Sequence, residues 1–219
     1  IFVGELSLSG EVCPVRGVLP IARVAAAKGF KELYVPEENA EEAALIEGIN
    51  VFGVKNLKNL ALHFKEGLAK KIKERPLTKI IYAVPDTQID FKDIKGQAFA
   101  KQGLLIAAAG GHNVGMYGPP GTGKTMLARA FSAILPRLSE EEVFEVSSIY
   151  SVVGYGDKGL VTRPPFRAPH HTSSYVSLVG GGAIPRPGEI TLAHRGVLFL
   201  DEFPEFDKRV IDSLRQPLE

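Results

Sequence analysis

The stretch Gly118 to Thr125, GPPGTGKT, constrains the fold of this chain more than any other. It satisfies G-x-x-x-x-G-K-[ST] in full, a pattern that works only where an apolar strand enters the loop and a helix leaves it. HNVGMY before it reads as the strand, and TMLARAFSAIL after it as the helix, running until Pro136. Gly118, Gly121 and Gly123 let the backbone curl so that its N–H groups face inward around phosphates. The helix beginning near Lys124 points its positive end at the same anion. Pro119, Pro120, Thr122 and Met126 complete the candidate nucleotide contacts. Lys124 is suited to reach the β/γ-phosphates as a mobile point charge, and the Thr125 hydroxyl to ligate Mg²⁺.

VLFLDE is the second half of the same site. Four apolar residues carry Asp201 and Glu202 to the C-terminal edge of a sheet, where open α/β sheets place ligands. Asp201 is expected to hold Mg²⁺ directly or through water, and Glu202 to orient and polarise an attacking water. ATP and Mg²⁺ are therefore the expected cofactors, and Lys124, Asp201 and Glu202 the catalytic set.

Upstream, residues 1–66 alternate strand and helix signals, which argues for an α/β domain. IFVGEL, ELYVP and INVFGV read as strands, with a turn around Gly10. Val18 to Lys28 reads as a helix with Pro20 in its first turn and Gly29 closing it. Asn39 with Glu42 predicts a capping box on a helix that Gly48 ends. LKNLALHF has apolar residues at helical spacing. Residues 67–89 are charged and Pro-punctuated and read as a linker. The second domain, 90–219, opens with a long helix from FKDIKGQ to the Gly110–Gly111 pair, and Ser139 with Glu142 caps a further helix.

Composition adds limits. Apolar residues make up 45% of the 219 and charged residues 23%, as in soluble globular proteins, and the net charge of +1 selects no partner. One cysteine, Cys13, excludes an intramolecular disulfide and fits a reducing, cytoplasmic setting. Cys13 itself reads as a small buried hydrophobe. The longest apolar run, Leu104 to Ala109, is too short to span a bilayer, so no membrane partner is expected. No secretory leader pattern opens the chain. Ile1 and Glu219 both look like cut ends, so a fragment of a longer protein is expected.

GPPGTGKT with VLFLDE, preceded by DFKDIKGQ, resembles the AAA+ class, in which a segment like Asp93 to Gln97 lies against the adenine. FRAPHHTSSYVSLVGGG, IPRPGEITLAHRGVLFLDEFPEF and SLRQPLE further resemble the bacterial magnesium-chelatase-like ATPases of the ComM/YifB group. The resemblance covers essentially the whole chain. It implies a P-loop AAA+ domain with a central parallel sheet, cut before sensor 1, the arginine finger and the helical lid. It also implies a preceding partial Lon-protease-like domain of the ribosomal S5 domain 2-like fold.

In Lon-type proteases the stretch resembling GELSLSGEVCPVRGVLPIARVAAAKGF carries a catalytic lysine; here Leu19 holds that position and cannot activate a serine. That domain is expected to be a non-proteolytic scaffold or substrate-contact module. For the full-length protein, the family implies self-association into a ring, expected as a hexamer, that binds ATP and ADP and remodels DNA in branch migration. A metal-chelatase motor subunit, a protein-remodelling ATPase and a protein that only binds nucleotide are the alternatives.

Between Thr125 and Asp201 lies a Gly- and Pro-rich insert, Val152 to Arg195. Related motors fold similar inserts into a hairpin, here expected in LVGGGAIPRPGEI, with Gly180 to Gly182 flexible and Arg163, Arg167, Arg186 and Arg195 offering charge to a phosphate backbone. His170 and His171 are open to three readings: metal ligands, structural residues bonded to backbone or to Thr172–Ser174, or a junction coupling nucleotide state to motion. His194 reads as structural. His63 and His112 carry no functional signal.

Overall fold

A computed structural model describes residues 1–65, 71–82, 89–155 and 160–215. The chain divides into two compact units: Ile1–Ile81 with Phe144–Leu160, and Tyr82–Val143 with Val161–Glu219.

The first unit is mixed α/β. Its sheet pairs β3 (Glu32–Pro36) in parallel with β4 (Asn50–Val54), and β4 antiparallel with β5 (Glu74–Arg75). A parallel bridge from Phe2 to Tyr34 extends it, and β1 (Glu5–Leu6) and β2 (Val12–Cys13) form a separate ribbon. Cys13 is half-buried on that ribbon, not fully buried as expected. Helix α1 (Val18–Ala27) ends as its sequence predicts: Gly29 adopts φ +79°, and the Gly29 and Phe30 N–H groups return to Ala26 and Ala25 carbonyls. Its buried face, Val18, Leu19, Ala22 and Ala25, packs with Leu33, Val35 and Val51 of the sheet and with helix α2 (Ala40–Ala43). Helix α3 (Leu57–Phe64) keeps its expected bounds because the Asn56 side chain accepts from the Asn59 N–H at 2.8 Å.

Two readings change here. The Asn39–Glu42 capping box does not form. Asn39 is 5% exposed and its amide instead faces the Val15 backbone, accepting from its N–H at 2.9 Å and donating to its carbonyl at 3.1 Å. A buried amide that satisfies both polar groups of another chain segment outcompetes a local cap, and Glu42 is left with one buried oxygen that has no hydrogen-bond partner. Asn39→Ala is expected to lower the unfolding free energy by about 1–3 kcal/mol, measured by urea denaturation, because it strands both Val15 groups. The second change concerns the linker. β5 lies inside residues 67–89 and pairs with β4, and Phe144–Leu160 returns to this unit, where the Ser151 carbonyl accepts from the Gly17 N–H at 3.2 Å. Residue 66, residues 67–70 and 83–88 of that stretch, 156–159 of the insert and 216–219 of SLRQPLE lie outside the described residues.

The sheet's aromatic face contains a histidine that carries no functional signal in its local sequence. Phe2, Tyr34 and Phe52 stack across adjacent strands at 5.0 and 4.9 Å between centroids, and His63 and Phe64 of α3 cover them. The Ile72 N–H donates to His63 Nδ1 at 3.0 Å, so Nε2 carries the ring proton and faces the Tyr34 hydroxyl at 3.2 Å. Tyr34 donates onward to Glu32 at 3.0 Å. Burial first, then the bond to Glu32 and its charge, push the Tyr34 phenol up from 10.0 to about 12. The folded state therefore keeps a proton that the unfolded chain releases, so this stability is intact below pH 10 and is lost as pH rises toward about 12. Tyr34→Phe is expected to flatten that part of the alkaline stability profile.

In the second unit the expected long first helix is broken. A capping box between Asp90 and Asp93 closes a 3-10 turn at Phe91–Asp93, Gly96 and Gln97 take φ +67° and +56°, and α4 begins only at Ala98 (Ala98–Gly110). The main-chain N–H groups bonded to the Asp90 carboxylate hold its pKa below the usual value. Helix α5 (Lys124–Ile134) packs Leu127 and Ala130 against Ile94 and Leu104. Helix α6 (Glu140–Val152) carries the expected capping box: the Ser139 N–H donates to Glu142 at 2.9 Å, and the Glu142 N–H to the Ser139 hydroxyl at 3.3 Å.

The central parallel sheet is where expectation and structure differ most. His112–Tyr117 has no strand partner among the described residues, and Tyr117 is fully exposed. GVLFLDE contributes only β9 (Val197–Leu198), parallel to β6 (Phe166–Arg167). A strand exists through its neighbours, and an apolar run with none is only an extended segment. The insert does form its hairpin: after α7 (Tyr175–Val179), β7 (Gly180–Gly181) pairs antiparallel with β8 (Arg186–Pro187), leading into α8 (Glu189–Leu192). Gly188 has no room for a side chain there, since a Cβ would lie 2.3 Å from the Leu178 carbonyl oxygen. Helix α9 (Lys208–Ser213) closes the unit, its Val210 packed with Leu178 and Phe206.

Candidate functional site

The loop has the backbone its glycines allow. Gly121 and Gly123 take φ +78° and +84°, a region closed to most L-residues. The Thr122 hydroxyl donates to the Pro119 carbonyl at 2.9 Å and tightens the curl. Gly123 is the N-cap of α5 and makes no side-chain cap, so the first-turn N–H groups remain available to an anion. Lys124 folds back over the loop, its Nζ 2.9 Å from the Gly118 and Pro119 carbonyls. Pro119 to Gly123, Thr125 and Met126 are exposed, while Gly118 and Lys124 are half-buried. Gln97, with its left-handed backbone, donates to the Thr122 carbonyl at 3.3 Å and ties the segment before α4 to the loop. This contact joins Gln97 of DFKDIKGQ to GPPGTGKT, which spacing alone does not specify.

The two sequence motifs meet. Thr125 Oγ1 donates to Asp201 Oδ2 at 2.9 Å. The Glu202 N–H donates to Asp201 Oδ1 at 3.1 Å, and Glu202 adopts φ +54°. A non-glycine residue there costs about 1–3 kcal/mol and persists where its surroundings require it. Thr125 and Asp201 offer hard oxygen donors side by side, which suits Mg²⁺, a cation commonly held by one or two protein oxygens plus phosphates. The residues present therefore fit the expected ion.

Beside them, His171 Nδ1 lies 3.2 Å from Glu202 Oε2. His170 turns to Thr172 instead, its Nδ1 2.8 Å from the hydroxyl and 3.3 Å from the N–H. That matches the structural reading for His170. No group of three or more His, Cys, Asp or Glu side chains forms a metal cluster among the described residues. Of the four insert arginines, Arg167 forms a two-pronged pair with Glu189 at 2.6 and 2.7 Å, and Arg195 pairs with Glu142 at 3.4 Å. Those two are committed to carboxylates of their own unit. Arg186 sits exposed on the hairpin strand β8.

Residues 90–219 match the family model described as magnesium chelatase, subunit ChlI, and residues 1–39 match subunit ChlI of Mg-chelatase. The chain belongs to the magnesium chelatase ChlI-like family. Its relatives include YifB of Salmonella typhimurium, 47% identical over 218 residues, 99% of this chain and 42% of that protein. Competence protein ComM of Haemophilus influenzae is 45% identical over 223 residues, 100% of this chain and 43% of that protein. More distantly, Lon protease 2 of Bacillus subtilis is 32% identical over 140 residues, 59% of this chain and 25% of that protein. The chain thus spans less than half the length of these curated relatives. Membership in the ChlI-like family suggests an AAA+ ATPase. Among the described residues no helix is long and apolar enough to cross a membrane.

Proposed function

We propose that this ChlI-like chain contributes the nucleotide site of a cytoplasmic AAA+ motor that hydrolyses ATP and remodels branched DNA. The observation that carries the ATPase reading is the Thr125–Asp201 hydrogen bond, which brings the loop and the acidic motif to one point. The α5 N–H groups and Lys124 would hold the phosphates; Thr125 and Asp201 would hold Mg²⁺, which would supply charge to offset that developing on the phosphates. Glu202 would orient water for in-line attack on the γ-phosphorus and take up its proton, as the bond to the β-phosphate oxygen breaks and ADP leaves. The second unit then belongs to an AAA+ domain, its loop and acidic motif joined through Thr125 and Asp201. The first unit is a non-proteolytic Lon-like module, consistent with Leu19 at 1% exposure in its core.

The DNA reading and a hexameric ring rest on the likeness to the ComM/YifB group, with the exposed Arg186 hairpin as the contact. The match to the chelatase model favours one other reading, the motor subunit of a metal chelatase. ATP turnover by the full-length protein, with and without forked or four-way DNA, separates them. Stimulation by branched DNA is expected; turnover indifferent to DNA overturns the DNA reading.

A further inference from the structure

The contact between His171 and Glu202 follows from strand register. β6 and β9 are parallel, with Arg167 opposite Leu198. Parallel strands leave a sheet at the same edge, so the segments that follow them travel side by side. His171 and Glu202 stand equally far beyond that register pair, and their side chains meet at 3.2 Å.

The imidazole is held in place. The His170 ring lies 4.1 Å from it between centroids, and the Phe206 ring meets it edge-on at 6.5 Å and 83°. Phe206 is 4% exposed and packs with Leu178 of α7, the helix that runs directly into the β7–β8 hairpin. Glu202 is the more exposed partner, its side chain 66% accessible against 28% for His171. A carboxylate on a left-handed residue with so little cover needs a partner to define its rotamer. His171 is the basic side chain in contact with it.

We propose that His171 is a positioning residue for Glu202: its Nδ1–H holds the carboxylate, so that the segment from β6 through α7 to the hairpin sets where that carboxylate points. The inference rests on the ATPase reading for its catalytic consequence, but not for the contact itself.

Isotope-labelled histidine in the full-length protein tests the contact. The His171 imidazole resonance is expected to shift in Glu202→Gln, and a resonance that stays put overturns the proposal whatever the protein hydrolyses. His171→Ala is expected to lower kcat for MgATP at least about tenfold while the KM and the affinity for a fluorescent ATP analogue stay within about twofold, the mark of misplaced chemistry with intact binding. His171→Gln, whose amide can donate to the same oxygen, is expected to recover part of that loss. An unchanged or raised kcat in His171→Ala overturns the proposal, as does a matching loss of nucleotide affinity, which marks a merely structural role. If the resonance shifts but the parent protein turns over no ATP, the ATPase reading falls and takes the positioning role with it.

Discussion

Lys124→Ala is expected to weaken binding of MgATP by about a hundredfold and to abolish measurable turnover at ordinary ATP concentrations. The ammonium is the basic side chain folded over the loop, where it sits on the Gly118 and Pro119 carbonyls at 2.9 Å. A bound phosphate would take over that role as partner, and a charged hydrogen bond of this kind contributes about 1.5–3 kcal/mol. Unfolding does not explain the loss. Lys124 opens α5, where a cation opposes the helix dipole, so alanine there is neutral to favourable for the helix. Titration of a fluorescent ATP analogue, beside a thermal melt, checks both halves. Affinity within threefold of the parent, with unchanged melting, would remove Lys124 from the site.

The second large effect is on the chemical step. Glu202→Gln is expected to reduce ATP turnover by about a hundred- to a thousandfold while leaving nucleotide affinity nearly unchanged, because it removes only the group that accepts the water's proton. Glutamine preserves the side chain's size, and the backbone N–H bond to Asp201 does not involve the substituted atoms. Single-turnover kinetics with bound nucleotide isolates that step. Turnover near the parent rate would assign water activation to another residue. The two variants separate binding from chemistry: loss of affinity belongs to Lys124, and loss of rate with affinity retained belongs to Glu202.

How far these sites were legible in the sequence depends on how local each feature is. The curl of GPPGTGKT, the start of α5 after Gly123, the Ser139–Glu142 cap, the Gly29 stop and the span of α3 all formed as read. Each involves residues only a few positions apart, so the side chain that decides the backbone is already beside it. Asn39 shows where that rule fails. Its local cap was sound, but a segment 24 positions away offered a better partner inside the core.

By itself, then, the sequence determined the chemistry available at the loop and the acidic motif, the family, and the α/β character of the first unit. Only the tertiary structure decided which distant atoms meet: Thr125 with Asp201, Gln97 with Thr122, His171 with Glu202. It also withheld strand status from His112–Tyr117 and confined GVLFLDE to Val197–Leu198. The physical reason is that apolar alternation makes a segment competent to pair, while the partner and the register are set by the rest of the fold.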